Sequence, residues 1–199
     1  MSTSLPQPMR PSGFAGRIFG ALMNISNAKC FAAAFDRIAP APNAHVLEIG
    51  FGTGKLIERL AQATPQGFVA GVDPSALMVE TARKRVRGLR HVDVREGDAS
   101  RLPWPDGHFD AVAALHCWQF WADPQGCLAE IRRTMKPCGK LVIVLRDHGR
   151  GIDWLPNPIS LAGDETNGLC AILVKSSFDS VQRDGRIGSS DIVISRRSL

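Results

Sequence analysis

Tyrosine is absent from the 199-residue chain, which removes one general acid–base side chain and the tyrosine-based motifs with it. Long apolar runs are missing too. They are about five or six residues long, such as Leu141–Leu145, far short of the ~18–20 residues a membrane-spanning helix needs. The opening MSTSLPQPMRPSGF has no apolar stretch of the kind a secretory signal carries. The five cysteines, at 30, 117, 127, 138 and 170, form no CxxC pair and no zinc-ligand spacing. Reduced thiols and no metal are expected. Together these absences predict a soluble cytoplasmic protein without a membrane partner.

What is present is ordinary globular composition. Apolar residues make up 44% and charged residues 22%, which excludes disorder, collagen and coiled coil. The length suits one domain with one sizeable core. A net charge of +5 permits an anionic partner without requiring one.

Residues 1–12, with three prolines, read as a mobile tail. Residues 13–39 read as two N-terminal helices. Phe14, Ile18 and Leu22, with Phe19 and Met23, form one helical stripe; Phe31, Ala34, Phe35 and Ile38 form the next. Pro40 and Pro42 end the second. Residues 40–199 then alternate. Strand-like runs at 45–50, 68–73, 91–96, 109–115 and 140–146 are separated by helical segments near 54–63, 75–87 and 123–135. The middle strands are nearly continuous apolar runs, as in strands covered on both faces. That alternation predicts an α/β fold with a parallel sheet and right-handed crossovers. A helix from a cap at Asp164 to about Lys175 follows. Strands near 178–183 and 191–196, split by the turn-rich RDGRIGSS, predict an antiparallel hairpin.

The strongest chemical signal is Val46-Leu47-Glu48-Ile49-Gly50-Phe51-Gly52-Thr53-Gly54, where a strand passes into a helix. Open α/β sheets bind ligands at such ends, and glycines there let backbone approach a ligand closely. Two look-alikes are excluded. The dinucleotide fingerprint needs glycine where Lys55 stands; the phosphate loop needs glycine and a hydroxyl where Ile49 and Leu56 stand. Asp73 ends the next strand, where a carboxylate can accept hydrogen bonds from ribose hydroxyls or cap the helix beginning near Ser75. Glu96-Gly97-Asp98-Ala99 closes the third strand, as a bare turn or as an acid and amide that read an adenine edge.

VLEIGFGTG, GVDPS, EGDASRLPWPDGHFDAV and LAEIRRTMKPCGKLVIV, in this order, resemble a class I S-adenosylmethionine-dependent methyltransferase of the small-molecule type. The resemblance covers 45–147 strongly and the last fifty residues weakly. It implies a Rossmann-like three-layer sandwich: a mostly parallel seven-stranded sheet, an antiparallel C-terminal hairpin and N-terminal helices that lid the site. It also implies S-adenosylmethionine as cofactor and S-adenosylhomocysteine as product. Glu48 would meet the amino group, and Gly50, Gly52 and Gly54 would pass beneath the methionyl part. Asp73 would hold the ribose hydroxyls, with Pro74 and Ser75 beside the adenine. Asp98 would take the adenine amino group and the Ala99 amide a ring nitrogen. His116 would contact the methionyl end through its backbone. Cys138 stands where the family usually has glycine and reads as a turn residue. The Asn-Pro-Pro-aromatic motif of adenine and glutamine N-methyltransferases is missing after the fourth strand.

The acceptor side is thinner. His116 could serve as a general base at an oxygen or nitrogen acceptor. Asp147, also a pocket candidate, and His148 are further base candidates near the strand ends or anchor a loop. Trp118, Phe120 and Trp121 wall an acceptor pocket or pack in the core. Residues 148–163, with Trp154 and Pro156, leave room only for a loop, so the pocket is open or completed by a second copy of the chain. Arg83, Lys84, Arg85, Arg87 and Arg90 read as a solvated helix face, because nucleic-acid binding wants aromatic residues interleaved with the charge. The expected function is methyl transfer to a nitrogen, oxygen or carbon of a small molecule. The rivals are an RNA methyltransferase and a non-catalytic cofactor-binding subunit.

Overall fold

The computed structural model describes residues 27–146 and 165–199. The stripe at 14–23, the tail, Asp147, His148, Trp154, Pro156 and the cap at Asp164 lie outside those residues. Within them the order is α1 (Ala28–Ile38), β1 (His45–Ile49), α2 (Lys55–Ala63), β2 (Phe68–Asp73), α3 (Ala76–Arg85), β3 (Val92–Glu96) and β4 (Phe109–Leu115). A single 3-10 turn (Trp118–Phe120), α4 (Pro124–Thr134), β5 (Met135–Arg146), α5 (Glu165–Lys175), β6 (Phe178–Ile187) and β7 (Ser190–Arg197) follow.

The strands form one seven-stranded sheet in the order β3-β2-β1-β4-β5-β7-β6. The first five are mutually parallel, and β7 runs antiparallel to both β5 and β6. Alternation along the central strands splits the core in two. Val46, Val69, Ala111, Ala113, Val142 and Val144 face α1, α2 and α3. Leu47, Ala70, Val112, Ala114, Leu141 and Ile143 face α4 and α5. Each face therefore needs its own helical layer, and the result is the expected three-layer sandwich.

Two boundaries depart from expectation. The fifth strand starts at Met135, not Lys140: Met135 pairs with Phe109, and the ladder then shifts register before Lys140 meets Ala111. Cys138 sits in that irregular stretch, exposed and at φ +61, so it is a turn residue inside an interrupted strand. The sixth strand continues through RDGRI to Ile187, leaving Gly188-Ser189 as the hairpin turn. Register shifts between Asp179 and Gln182 and between Arg183 and Arg186 break the period-two pattern that would have shown it.

Helix α1 crosses the sheet beside β5 and is tied to it at both ends. Lys140 Nζ donates to the carbonyls of Arg37 and Ile38, two of the last acceptors of the helix. At the other end Arg146 donates to Asn27 Oδ1 at 3.0 Å. Arg37 adds an ion pair to Asp184 of β6 at 2.7 Å.

Candidate functional site

The strand order reverses between β1 and β4, the switch point at which doubly wound sheets open a crevice. A cavity of about 370 Å³ lies there, at the carboxyl ends of β1, β2 and β4. The chain reaches it by turns that follow from local chemistry. The Gly50 amide donates to the Val72 carbonyl at 2.8 Å, carrying β1 out of the sheet beside β2. Gly54, at φ +76, is the N-cap of α2. A Cβ there would stand 2.8 Å from Ala82 Cβ, so this glycine lets α3 close on the loop. Gly52 is also left-handed, at φ +52, but a Cβ on it would meet nothing within 4 Å; it borders the cavity. The three glycines thus divide their duties. Gly50 and Gly52 line the cavity, and Gly54 packs behind it.

Glu48 is buried at 1% exposure and its Oε2 has no hydrogen-bond partner among the described residues. Burial first, then the nearby Asp73 carboxylate, raises its pKa well above the carboxylate range; the Ile57 amide pulls the other way. A buried carboxylate oxygen left over in a cavity is costly unless a ligand donor meets it. Asp73 accepts from the Ser75 amide at 2.9 Å and from the Gly52 amide at 2.8 Å. Burial pushes its carboxyl up to about 6 against those two amides. Two accepted bonds leave lone pairs on both oxygens for a ligand's hydroxyls. The helix cap expected of Asp73 belongs instead to Ser75, whose Oγ accepts from the Met78 amide. Ser75 is therefore a buried structural residue, and Pro74 is the member of that pair that lines the cavity.

Asp98 and Ala99 both line the cavity, and Asp98 Oδ1 is already bound to the amide of Ser100 at 2.8 Å. His116 lies at φ +52, with its amide donating to Val144 and its carbonyl accepting from Gln119 Nε2 at 2.9 Å. A non-glycine residue held there is strained by about 1 kcal/mol, and the neighbouring strand end and Gln119 hold it. Of the three aromatics expected to wall a pocket or pack in the core, Trp118 is buried in the core, and Phe120 and Trp121 line the cavity.

The structure adds residues that sequence reasoning passed over. Asn27 and Phe31 bring the first turn of α1 to the cavity rim. Cys117 donates to the Ile49 carbonyl at 3.3 Å, and burial raises its thiol far out of the reactive range. The largest revision concerns Arg85. Its Nε donates to the Thr53 carbonyl at 2.8 Å and its guanidinium pairs with Glu58 at 3.2 Å, so it braces the glycine loop from behind. Arg83 likewise reaches the Val94 carbonyl at 3.1 Å. Arg85 is thus spent inside the fold, while Arg83, though tied to that carbonyl, stays exposed as expected. Among the described residues no His, Cys, Asp and Glu group could hold a metal ion, and no helix is long and apolar enough to cross a membrane.

A buried acid before a glycine turn, a second acid at the next strand end and an acid–amide pair at the third match what an adenosyl amino-acid cofactor would need. Residues 47–143 match the family model of a methyltransferase domain. Those residues form a methyltransferase domain of the class I S-adenosylmethionine-dependent kind. Among its relatives is a demethylmenaquinone methyltransferase of Deinococcus radiodurans, 37% identical over 57% of this chain and 47% of that protein. An uncharacterised methyltransferase of Mycobacterium tuberculosis is 31% identical over 75% of this chain and 60% of that protein. A S-adenosylmethionine-dependent methyltransferase from Aquifex aeolicus superposes with a TM-score of 0.73 at 22% identity, over 83% of this chain and 88% of that one. The chain spans about half the length of the two sequence relatives, 47% and 60%.

Proposed function

We propose that the chain transfers the methyl group of S-adenosylmethionine to a small-molecule nitrogen, oxygen or carbon. The observation that carries this reading is the unmatched Glu48 Oε2 at the base of the cavity, beside Asp73 and the open side of Gly52. When bound, the cofactor would supply a methyl activated on a sulfonium, the acceptor bonding to that carbon as its bond to sulfur breaks and S-adenosylhomocysteine leaves. The protein's part is to hold and orient. Glu48 accepts from the amino group, Asp73 from the ribose hydroxyls, and Asp98 with the Ala99 amide from and to the adenine edge. Positioning an acceptor in line supplies most of the acceleration in such a displacement. His116, at the cavity wall after β4, is assigned to the acceptor side as general base.

The guanidinium of Arg85, spent on the Thr53 carbonyl and Glu58, supports a small-molecule acceptor over RNA, since it is not presented outward as a phosphate clamp. Calorimetric titration with S-adenosylhomocysteine tests the reading. One site per chain at micromolar affinity supports it, and a folded chain that binds nothing removes it. His116→Ala should then lower turnover by roughly 10²-fold at unchanged cofactor affinity. A smaller loss would leave His116 with its backbone contact alone.

A further inference from the structure

We infer that the acceptor is a flat aromatic molecule without negative charge, gripped between Phe31 of α1 and the Phe120–Trp121 wall after β4. The inference rests on the methyltransferase reading of this cavity and names the substrate class that the same cavity takes.

Two features of the lining lead there. The first is shape. Once Glu48, Asp73, Asp98 and the loop backbone are given to the cofactor, aromatic rings stand out in what remains. Phe31 enters from the helix side, and Phe120 and Trp121 enter from the 3-10 turn. Trp121 is half-buried, and its ring meets the buried Trp118 edge-on at 5.3 Å and 65°. That contact fixes the ring face before any acceptor arrives, which lowers the ordering cost of binding. Helix α1 holds Phe31 just as firmly, through Asn27 and Arg146 at one end and Lys140 at the other. Aromatic rings brought to one cavity by two different elements favour a planar guest.

The second feature is charge. Four carboxylates line the cavity, those of Glu48, Asp73, Asp98 and Asp123, and no lysine or arginine does so among the described residues. Two cations on neighbouring elements are turned elsewhere: Arg146 to Asn27 and Arg85 to Thr53. Cys127, on the same wall, registers this field. Its thiol is pushed up to about 11, by burial first and then by Asp98 and Asp123. One cationic cofactor leaves the carboxylates in excess. A carboxylate or phosphate acceptor would enter a partly desolvated pocket lined by carboxylates, with no lysine or arginine among the described residues to meet it, and that repulsion is large at low effective dielectric.

The test is calorimetry on the full chain saturated with S-adenosylhomocysteine, using 2-naphthol and 2-naphthoate, which share a ring system and differ in charge at neutral pH. The expected result is binding of 2-naphthol, with 2-naphthoate about tenfold weaker or worse. Trp121→Ala should abolish 2-naphthol binding and leave S-adenosylhomocysteine affinity in place; Trp121→Leu carries the same test if the alanine variant does not fold. Asp123→Asn keeps the α4 cap, since asparagine caps as well as aspartate, and should tighten 2-naphthoate roughly threefold. Equal or tighter binding of 2-naphthoate overturns the inference, as does 2-naphthol binding that is absent or indifferent to Trp121. Failure to bind S-adenosylhomocysteine at all is a separate result that removes the methyltransferase reading and this inference with it.

Discussion

Arg85, on the last turn of α3, donates its Nε to the carbonyl of Thr53 in the glycine loop at 2.8 Å. Its guanidinium is held in turn by Glu58 of α2. One cation therefore ties a loop carbonyl, the helix that follows the loop and the helix after β2.

Replacing that cation should loosen the loop without touching the cavity. Arg85→Met keeps most of the apolar stem and leaves the Thr53 carbonyl unmatched, at a cost of about 1–2 kcal/mol in stability. S-Adenosylhomocysteine affinity should fall several-fold as well, because the loop is no longer preorganised. Thermal unfolding with and without ligand reads both effects, and an unchanged ligand-induced shift would show that the brace is purely structural.

Cofactor affinity should rise with pH through about 6. The Asp73 carboxyl is raised from 3.8 to about 6, chiefly by burial, and only its ionised form offers two acceptor oxygens to ribose hydroxyls. Affinity at pH 5 should be about tenfold below that at pH 7. The free protein moves oppositely. A raised carboxyl contributes stability that is present below 3.8 and lost as pH climbs to about 6. Asp73→Asn should weaken binding at pH 7 and reduce the slope; a slope of full size in that variant would move the titration to Glu48.

The glycines separate folding from binding. Gly54→Ala combines a left-handed φ of +76 with a Cβ set 2.8 Å from Ala82, and should destabilise by about 2–3 kcal/mol. Gly52→Ala meets open space, so its cost should be near the 1–2 kcal/mol of the backbone alone. Its larger effect should be on S-adenosylhomocysteine binding, because the added methyl borders the cavity. Equal affinity losses in the two variants would contradict this division.

Asp191 should anchor the C-terminal hairpin. It is 5% exposed and accepts from Thr166, Arg183 and Arg186, each at 2.7 Å. These donors, the Arg186 hydrogen bond foremost, hold its carboxyl down at about 2. Asp191→Asn should cost about 2 kcal/mol at neutral pH. The charge's contribution is present above the ordinary value of 3.8 and lost as pH falls towards about 2, so wild type and variant should converge in acid. Parallel melting curves down to pH 2 would contradict it.

What could be read from the sequence was whatever a single strand or loop decides. The boundaries of β2 and β4 matched because both are buried on two faces and their apolar runs end where burial ends. Glu48 and the glycines showed themselves through spacing along one turn, and Asp73 by ending the next strand. β6 did not, since it is an edge strand with exposed residues on both faces and two register shifts. Arg85 was hidden for another reason. A run of basic residues on a helix looks the same whether each side chain points to water or reaches back 32 residues to a loop carbonyl. Trp118 and Trp121, three apart in a tight turn, divide between core and cavity through tertiary packing that no local pattern encodes.

The two clasps on α1 make β5 a measuring rod. Lys140 and Arg146 stand six residues apart on one face of the strand, roughly 20 Å at 3.3 Å per residue, and they grip opposite ends of an 11-residue helix about 16 Å long. Because neighbouring strand positions point to opposite faces, adding or removing one residue between them would swing one clasp to the far side of the sheet. Where Phe31 stands over the cavity is thus dimensioned by a strand whose own residues never enter it.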